Sequence, residues 1–190
     1  YWLLIAGFFV CGFQLAFITV HMPSYLSDNG FDSSVAAASL SIIGLCNIIG
    51  SLTAGHLSGL YSKKWILAFI YGARSIVIVL FLIIPITTFT VYAFSFATGL
   101  LWLATVPPTS GLVAQMFGLR YMGTLYGIVF LNHQIGSFSG VWLGGYLFDT
   151  TGSYDQVWWW AAIIAAITAI IHVFIDERPV ERLRLAEKVI

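Results

Sequence analysis

Charge is what this chain of 190 residues has least of. Asp, Glu, Lys and Arg make up 8 % of it, against about 25 % in soluble domains, which excludes a globule with an ordinary solvated surface. The net charge is +0, so no basic patch argues for nucleic acid as a partner. Cysteine is scarce too. Cys11 and Cys46 lie among apolar neighbours, which leaves no disulfide framework or zinc spacing and makes both small hydrophobes. No Gly-x4-Gly-Lys-Ser/Thr loop is present, so nothing points to ATP-driven pumping, and no cofactor is expected. No secretory leader precedes the first apolar run and the chain opens on Tyr1 rather than Met. A fragment cut in a loop before the first span is expected.

What fills the space between the charges is apolar: hydrophobic residues make up 59 % of the chain. Six runs, at 1–22, 35–57, 65–84, 88–114, 124–146 and 157–175, are each long enough to cross the ~30 Å hydrocarbon core as a helix at about 1.5 Å per residue. The fold class expected is therefore all-α: a polytopic membrane domain over 1–175 followed by a tail at 176–190, with a short surface helix in the tail. Tyr1 and Trp2 at one end, and Trp158, Trp159 and Trp160 opening the last span, suit interfacial belts.

The basic residues orient the bundle. Lys63, Lys64, Arg120, Arg178, Arg182, Arg184 and Lys188 all fall on one side, while the other side's loops hold Asp28, Asp32, Asp149 and Asp155 and no Lys or Arg. The positive-inside rule puts both ends in the cytoplasm. Arg74 alone lies within a span.

Comparison of the chain with itself reveals a repeat. Ile42-Ile-Gly-Leu-Cys-Asn47-Ile-Ile-Gly50-Ser51-Leu-Thr53-Ala54 aligns without gaps to Ile128-Val-Phe-Leu-Asn-His133-Gln-Ile-Gly136-Ser137-Phe-Ser139-Gly140, at an offset of 86 residues. The same offset sets Thr19-Val20 over Thr105-Val106. Three spans separate equivalent helices, and three is odd, so the two copies run in opposite directions through the membrane. An inverted three-plus-three repeat is an architecture of secondary transporters, used for alternating access around a midplane site.

On these features the whole chain resembles the C-terminal half of a major facilitator superfamily transporter, the six spans corresponding to the family's helices seven to twelve. Gly55-His-Leu57-Ser-Gly59-Leu-Tyr-Ser-Lys63-Lys64 is similar to the family's loop signature, Gly-x-Leu-x-Asp followed by a basic cluster, with Gly59 at the acidic position. Gly144-Gly-Tyr-Leu-Phe-Asp149-Thr-Thr-Gly152-Ser-Tyr154 resembles the end of helix eleven in the monocarboxylate and oxalate–formate branch. That branch commonly carries a substrate-pairing basic residue in helix eight, and the second span here has no Lys or Arg. The resemblance implies a secondary transporter of a small solute, a small organic anion first and a neutral metabolite or drug second. It also implies an N-terminal six-helix half as partner, a coupling proton or ion, and residence in the plasma (inner) membrane.

Polar groups at mid-span are the candidate solute ligands, because they are costly in hydrocarbon and usually face the bundle interior or a water-filled cavity. His133, flanked by Asn132 and Gln134, lies ten residues after Gly123 and combines donor, acceptor and proton-binding capacity near neutral pH. Packing against a neighbouring helix is the alternative. Arg74, ten residues past Lys64, is either an anion anchor or a structural cation on backbone carbonyls or Ser75. Asn47 falls on a stripe with Ser39, Ser51 and Gly55. Gln14 is the large polar side chain of the first span, and His21, nearer its outer end, is expected at the interface. Thr105-Val-Pro107-Pro108-Thr-Ser is expected to interrupt the fourth span. Gly55, Gly59, Lys63 and Lys64 form the candidate gating loop, and Gly136, Gly140 and Gly144, every fourth residue, a close helix contact.

Two other classes compete. An intramembrane serine protease would need Ser139 and His172 within ~3 Å of each other, yet they belong to opposite halves of the bilayer. The other is a scaffold or receptor that moves nothing.

Overall fold

The computed structural model describes residues 1–181, and among them only helices form regular structure. The helices are α1 (Trp2–Asp28), α2 (Ser33–Leu60), α3 (Lys63–Ile83), α4 (Thr88–Leu101), α5 (Val106–Phe117), α6 (Met122–Thr151) and α7 (Asp155–Val173), with a single 3-10 turn at Leu119–Tyr121. By length and composition α1, α2, α3, the α4–α5 pair and α7 are apolar enough to cross a membrane. Helix α6, 30 residues long, is the sixth spanning rod but a less apolar one, because Asn132, His133, Gln134 and its glycines and serines dilute it. Large apolar side chains such as Leu52, Phe69, Phe89 and Phe138 lie exposed on the outside. Such a surface would drive aggregation in water and is matched to lipid.

Two helices depart from the spans read in the sequence. Helix α1 continues past Met22 to Asp28 with Pro23 inside it; the ring leaves the Thr19 carbonyl without its helical donor without ending the helix. The fourth span is broken, but upstream of its prolines. Helix α4 stops at Leu101, and Pro107 and Pro108 lie in the first turn of α5, where their missing N–H groups cost least. A proline ring clashes with the carbonyl four residues earlier, here Leu103 and Ala104, which is why the irregular turn falls just before α5.

The packing has the symmetry of an inverted repeat. The first helix of one triplet lies on the second helix of the other, α1 on α6 and α2 on α4, and the two third helices, α3 and α7, lie on each other. The aligned glycines sit at equivalent contacts. Gly50 presses on the backbone of Leu100 in α4, and Gly136 on that of Phe9 in α1. Gly140 does the same at Phe13, and Gly12 at the carbonyl of His133, so α1 and α6 meet backbone to backbone. In lipid such close approach, rather than exclusion of water, drives association. Gly144 differs: it makes room for the imidazole of His21, which bonds the carbonyl oxygen of Val141 at 3.0 Å instead of reaching the interface. Trp158 also departs from the belt expected of it. It is fully buried among Phe17, Tyr25, Phe81 and Phe94, while Trp159 and Trp160 remain exposed.

Helices α1, α2, α3, α6 and α7 and the α4–α5 pair cross the bundle in alternating directions, so Lys63 at the start of α3 and Asp149 near the end of α6 lie at opposite ends. At the Lys63 end the tail folds back. Ser62 Oγ and the Lys64 backbone N–H donate to the Glu177 carboxylate at 2.5 and 2.7 Å, placing an anion at the N-terminus of α3. Gln115 donates to the Glu177 carbonyl and accepts from Lys63 Nζ, and Val180 N–H bonds the Met116 carbonyl at 2.9 Å. The expected tail helix, with Arg182, Arg184 and Lys188, lies largely outside the described residues.

Candidate functional site

The broken fourth span is where the chain's polar groups converge. With no continuous helix after Leu101, the carbonyls of Leu101 and Trp102 lose their usual donors, and Val106 N–H bonds Leu103 instead. Arg74, eleven residues into α3 and so about 16 Å along it, supplies replacements. Its Nε and Nη2 donate to the Leu101 carbonyl at 3.2 and 2.6 Å, and Nη2 also donates to that of Trp102. The guanidinium sits over the Tyr71 ring at 5.5 Å. Asn47 holds the other side of the gap: its Oδ1 accepts from the Leu103 backbone N–H at 2.9 Å and from Ser51 Oγ at 3.2 Å. An Arg at mid-bilayer costs about 2.5–3.5 kcal/mol on insertion scales. Hydrogen bonds from a charged donor, at about 1.5–3 kcal/mol each, are of the size needed to offset it.

The third edge of the guanidinium reaches Gln14, whose Oε1 accepts from Nη1 at 3.4 Å while its Nε2 donates to the Ala161 carbonyl at 2.9 Å. Gln14 and Arg74 are 2 % and 7 % exposed. Together with Leu15, Ile18, Ile78, Thr98 and Trp102 they line a cleft between α1, α3 and the break. Among the described residues the one ion pair is Arg178 with Asp176 at the surface, so the charge in this cleft faces no carboxylate.

A second polar group borders the first. Thr105 Oγ1 lies 3.2 Å from Cys11 Sγ. His133 is 6 % exposed, stacked on Phe130 with ring centroids 5.3 Å apart and packed against Phe8 at 4.9 Å. Its Nδ1 lies 3.2 Å from Gln134 Oε1. Asn132 Nδ2 donates to the Ile5 carbonyl at 2.8 Å, tying α6 to α1, and Gln134 faces outward.

The sequence-derived residues thus fall into separate places. Gln14 and Arg74 share the cleft. Thr105 lies against Cys11, His133 packs on Phe8 and Phe130, Asn47 braces the break, and Asn132 bonds helix backbone. Gly55 and Gly59 are exposed on α2, Gly55 against Pro107 and Gly59 with open space beside it, at the end carrying Lys63 and Lys64. Trp102 and Thr98 line the cleft and escaped the sequence reading. Both sit in an apolar stretch with no motif, and the carbonyls that the Pro-Pro pair frees are those of Leu103 and Ala104, past both of them.

A bundle of two inverted helix triplets, with a narrow cleft of about 10 Å³ at half depth that holds Gln14, Arg74 and Thr98 among apolar walls, is the form of one half of a secondary transporter. The chain belongs to the Major Facilitator Superfamily, whose family model matches residues 4–189. It is 27 % identical over 179 residues to an uncharacterized MFS-type transporter, YcxA, of Bacillus subtilis (strain 168), covering 90 % of this chain and 43 % of that protein. It is 29 % identical over 159 residues to monocarboxylate transporter 12-B of Danio rerio, covering 80 % of this chain and 33 % of that one. The fold matches the crystal structure of FucP, a Major Facilitator Superfamily transporter in the outward conformation, with a TM-score of 0.71 at 20 % identity, over 91 % of this chain and 41 % of that one. The chain therefore spans less than half the length of these relatives. The superfamily is one of membrane transporters, not enzymes. Consistently, Ser139 Oγ is spent on the Ile135 carbonyl, and His172 is buried against Gly7 and Tyr71 toward the other end of the bundle.

Proposed function

We propose that this chain is the C-terminal half of a secondary active transporter that carries a small organic anion by alternating access, rocking against an N-terminal six-helix half. The carrying observation is the cleft of Gln14, Thr98, Trp102 and Arg74: a cation with no carboxylate partner among the described residues, at mid-depth, beside amide and hydroxyl groups. In low dielectric such a site attracts a carboxylate and repels a second cation. The relative named as a monocarboxylate transporter favours the same substrate class. His133, buried and in reach of Gln134, is a proton-binding group that would serve coupling. Gly55, Gly59, Lys63 and Lys64 would form part of the cytoplasmic gate. Both chain ends would face the cytoplasm, from the plasma membrane.

The absence of Lys and Arg from α2 favours a second reading, a neutral metabolite or drug. The two separate in proteoliposomes holding the full-length protein, loaded with or facing a labelled short-chain acid or an uncharged solute of similar size, with and without a proton gradient. Saturable uptake of the acid, driven by the gradient, is expected. Uptake of the neutral solute alone would reverse the assignment, and uptake of neither would end the transporter reading for these solute classes.

A further inference from the structure

The oxygens around Arg74 form an unusual set. The carbonyls of Leu101 and Trp102 and the amide oxygen of Gln14 are all uncharged, and all point at one guanidinium. Two of the three belong to the C-terminal end of α4, where the aligned peptide dipoles leave roughly half a negative charge. Unwound carbonyls and half-helix C-termini are the groups with which secondary transporters of other folds coordinate sodium or protons. Here the same kind of cage, at the same depth, already contains a cation delivered by a neighbouring helix.

From this we infer that Arg74 is a tethered replacement for a mobile monovalent cation. Its guanidinium fills the cation position at the end of α4 permanently, so this half binds no sodium or potassium there, and the break keeps its shape whatever the ion gradient. The inference deepens the transporter reading above, since it assigns any coupling to groups other than a metal ion at the break. Among the described residues Arg74 carries no ion pair; the α4 dipoles and carbonyls hold it in place, and a solute carboxylate would meet it from the cleft side.

Removing the tether should expose the cage. The full-length protein is purified in detergent as wild type and as Arg74→Ala, and thermal unfolding is followed in low-millimolar guanidinium, sodium or choline chloride at matched ionic strength. The wild type is expected to unfold at one midpoint in all three salts. Arg74→Ala is expected to unfold lower, and to recover in guanidinium, and to a smaller degree in sodium, relative to choline, the gain rising with the logarithm of concentration as linkage requires. A variant as stable as wild type, or one that responds to the salts as the wild type does, overturns the inference. Should Arg74→Ala not be recovered, Arg74→Lys is compared with Arg74→Met: recovery of the lysine variant alone supports a cation site, and equal behaviour of the two overturns it. The unfolding experiments need no transported solute, so they stand even if the proposed substrate class is wrong.

Discussion

The contact between α1 and α6 can be tested with one added methyl group. At Gly136 a Cβ would lie 2.9 Å from the Phe9 carbonyl carbon and closer still to its oxygen. Ordinary carbon contacts are about 3.5–4.0 Å, so the two helices would have to part by roughly 1 Å. A gap of that size forfeits about a quarter to a half of each dispersion contact along the seam, and overpacking of a tight core costs about 1–3 kcal/mol. The obstacle is backbone, which cannot swing aside as a side-chain tip would. Gly136→Ala is therefore expected to lose about 1–2 kcal/mol even after alanine's helix-propensity gain of about 0.8–1 kcal/mol, a few degrees in the unfolding midpoint of the purified full-length protein. Gly72→Ala is the control. Its methyl would meet Ala169 Cβ at 3.7 Å, an ordinary contact, on the α3–α7 face. Alanine is the better helix former by about 0.8–1 kcal/mol, so this variant is expected to match or exceed wild type. Equal midpoints for the two variants would refute the account of the α1–α6 seam.

Further outcomes follow from individual bonds. Asn47→Gln keeps an uncharged amide oxygen to accept from Leu103 N–H and Ser51, whereas Asn47→Leu abandons a backbone donor at mid-depth; the leucine variant is expected to lower transport velocity more than the glutamine variant, read in flux assays at equal membrane abundance. Ser39 and Ser95 share a buried 2.6 Å bond between α2 and α4, so either single alanine variant should cost about 0.6 kcal/mol and the double variant little more, a coupling visible in a double-mutant cycle of unfolding midpoints. His133→Ala in the complete protein is expected to lower uptake and flatten its pH dependence without lowering membrane abundance; an unaltered pH profile would remove His133 from coupling.

Much of the architecture was legible because a bilayer allows few solutions. Runs of apolar residues had to become helices, since lipid offers no partner to an open backbone. The inverted repeat was legible for a related reason: Gly50 and Gly136 must be small where backbones touch, so both copies keep the residue. The break was harder. The Pro-Pro pair announces it, but the ring acts on carbonyls four residues upstream, which moves the irregular turn to the segment after Leu101. Gln14 meeting Arg74 joins positions 60 residues apart, and Asn47 meeting Leu103 joins positions 56 apart. No local pattern encodes such pairs. Trp158 shows the same limit, because three consecutive tryptophans on a helix point in different directions and only packing decides which one turns inward.

The attachment of Glu177 across the start of α3 bears on how this bundle is handled in the laboratory. Cutting the polypeptide at the close of its last membrane segment would yield a shorter product lacking the plug for a neighbouring helix, and with it the strap over α5. An affinity handle spliced in right after Phe174 would do similar harm, so fusions belong beyond Val180.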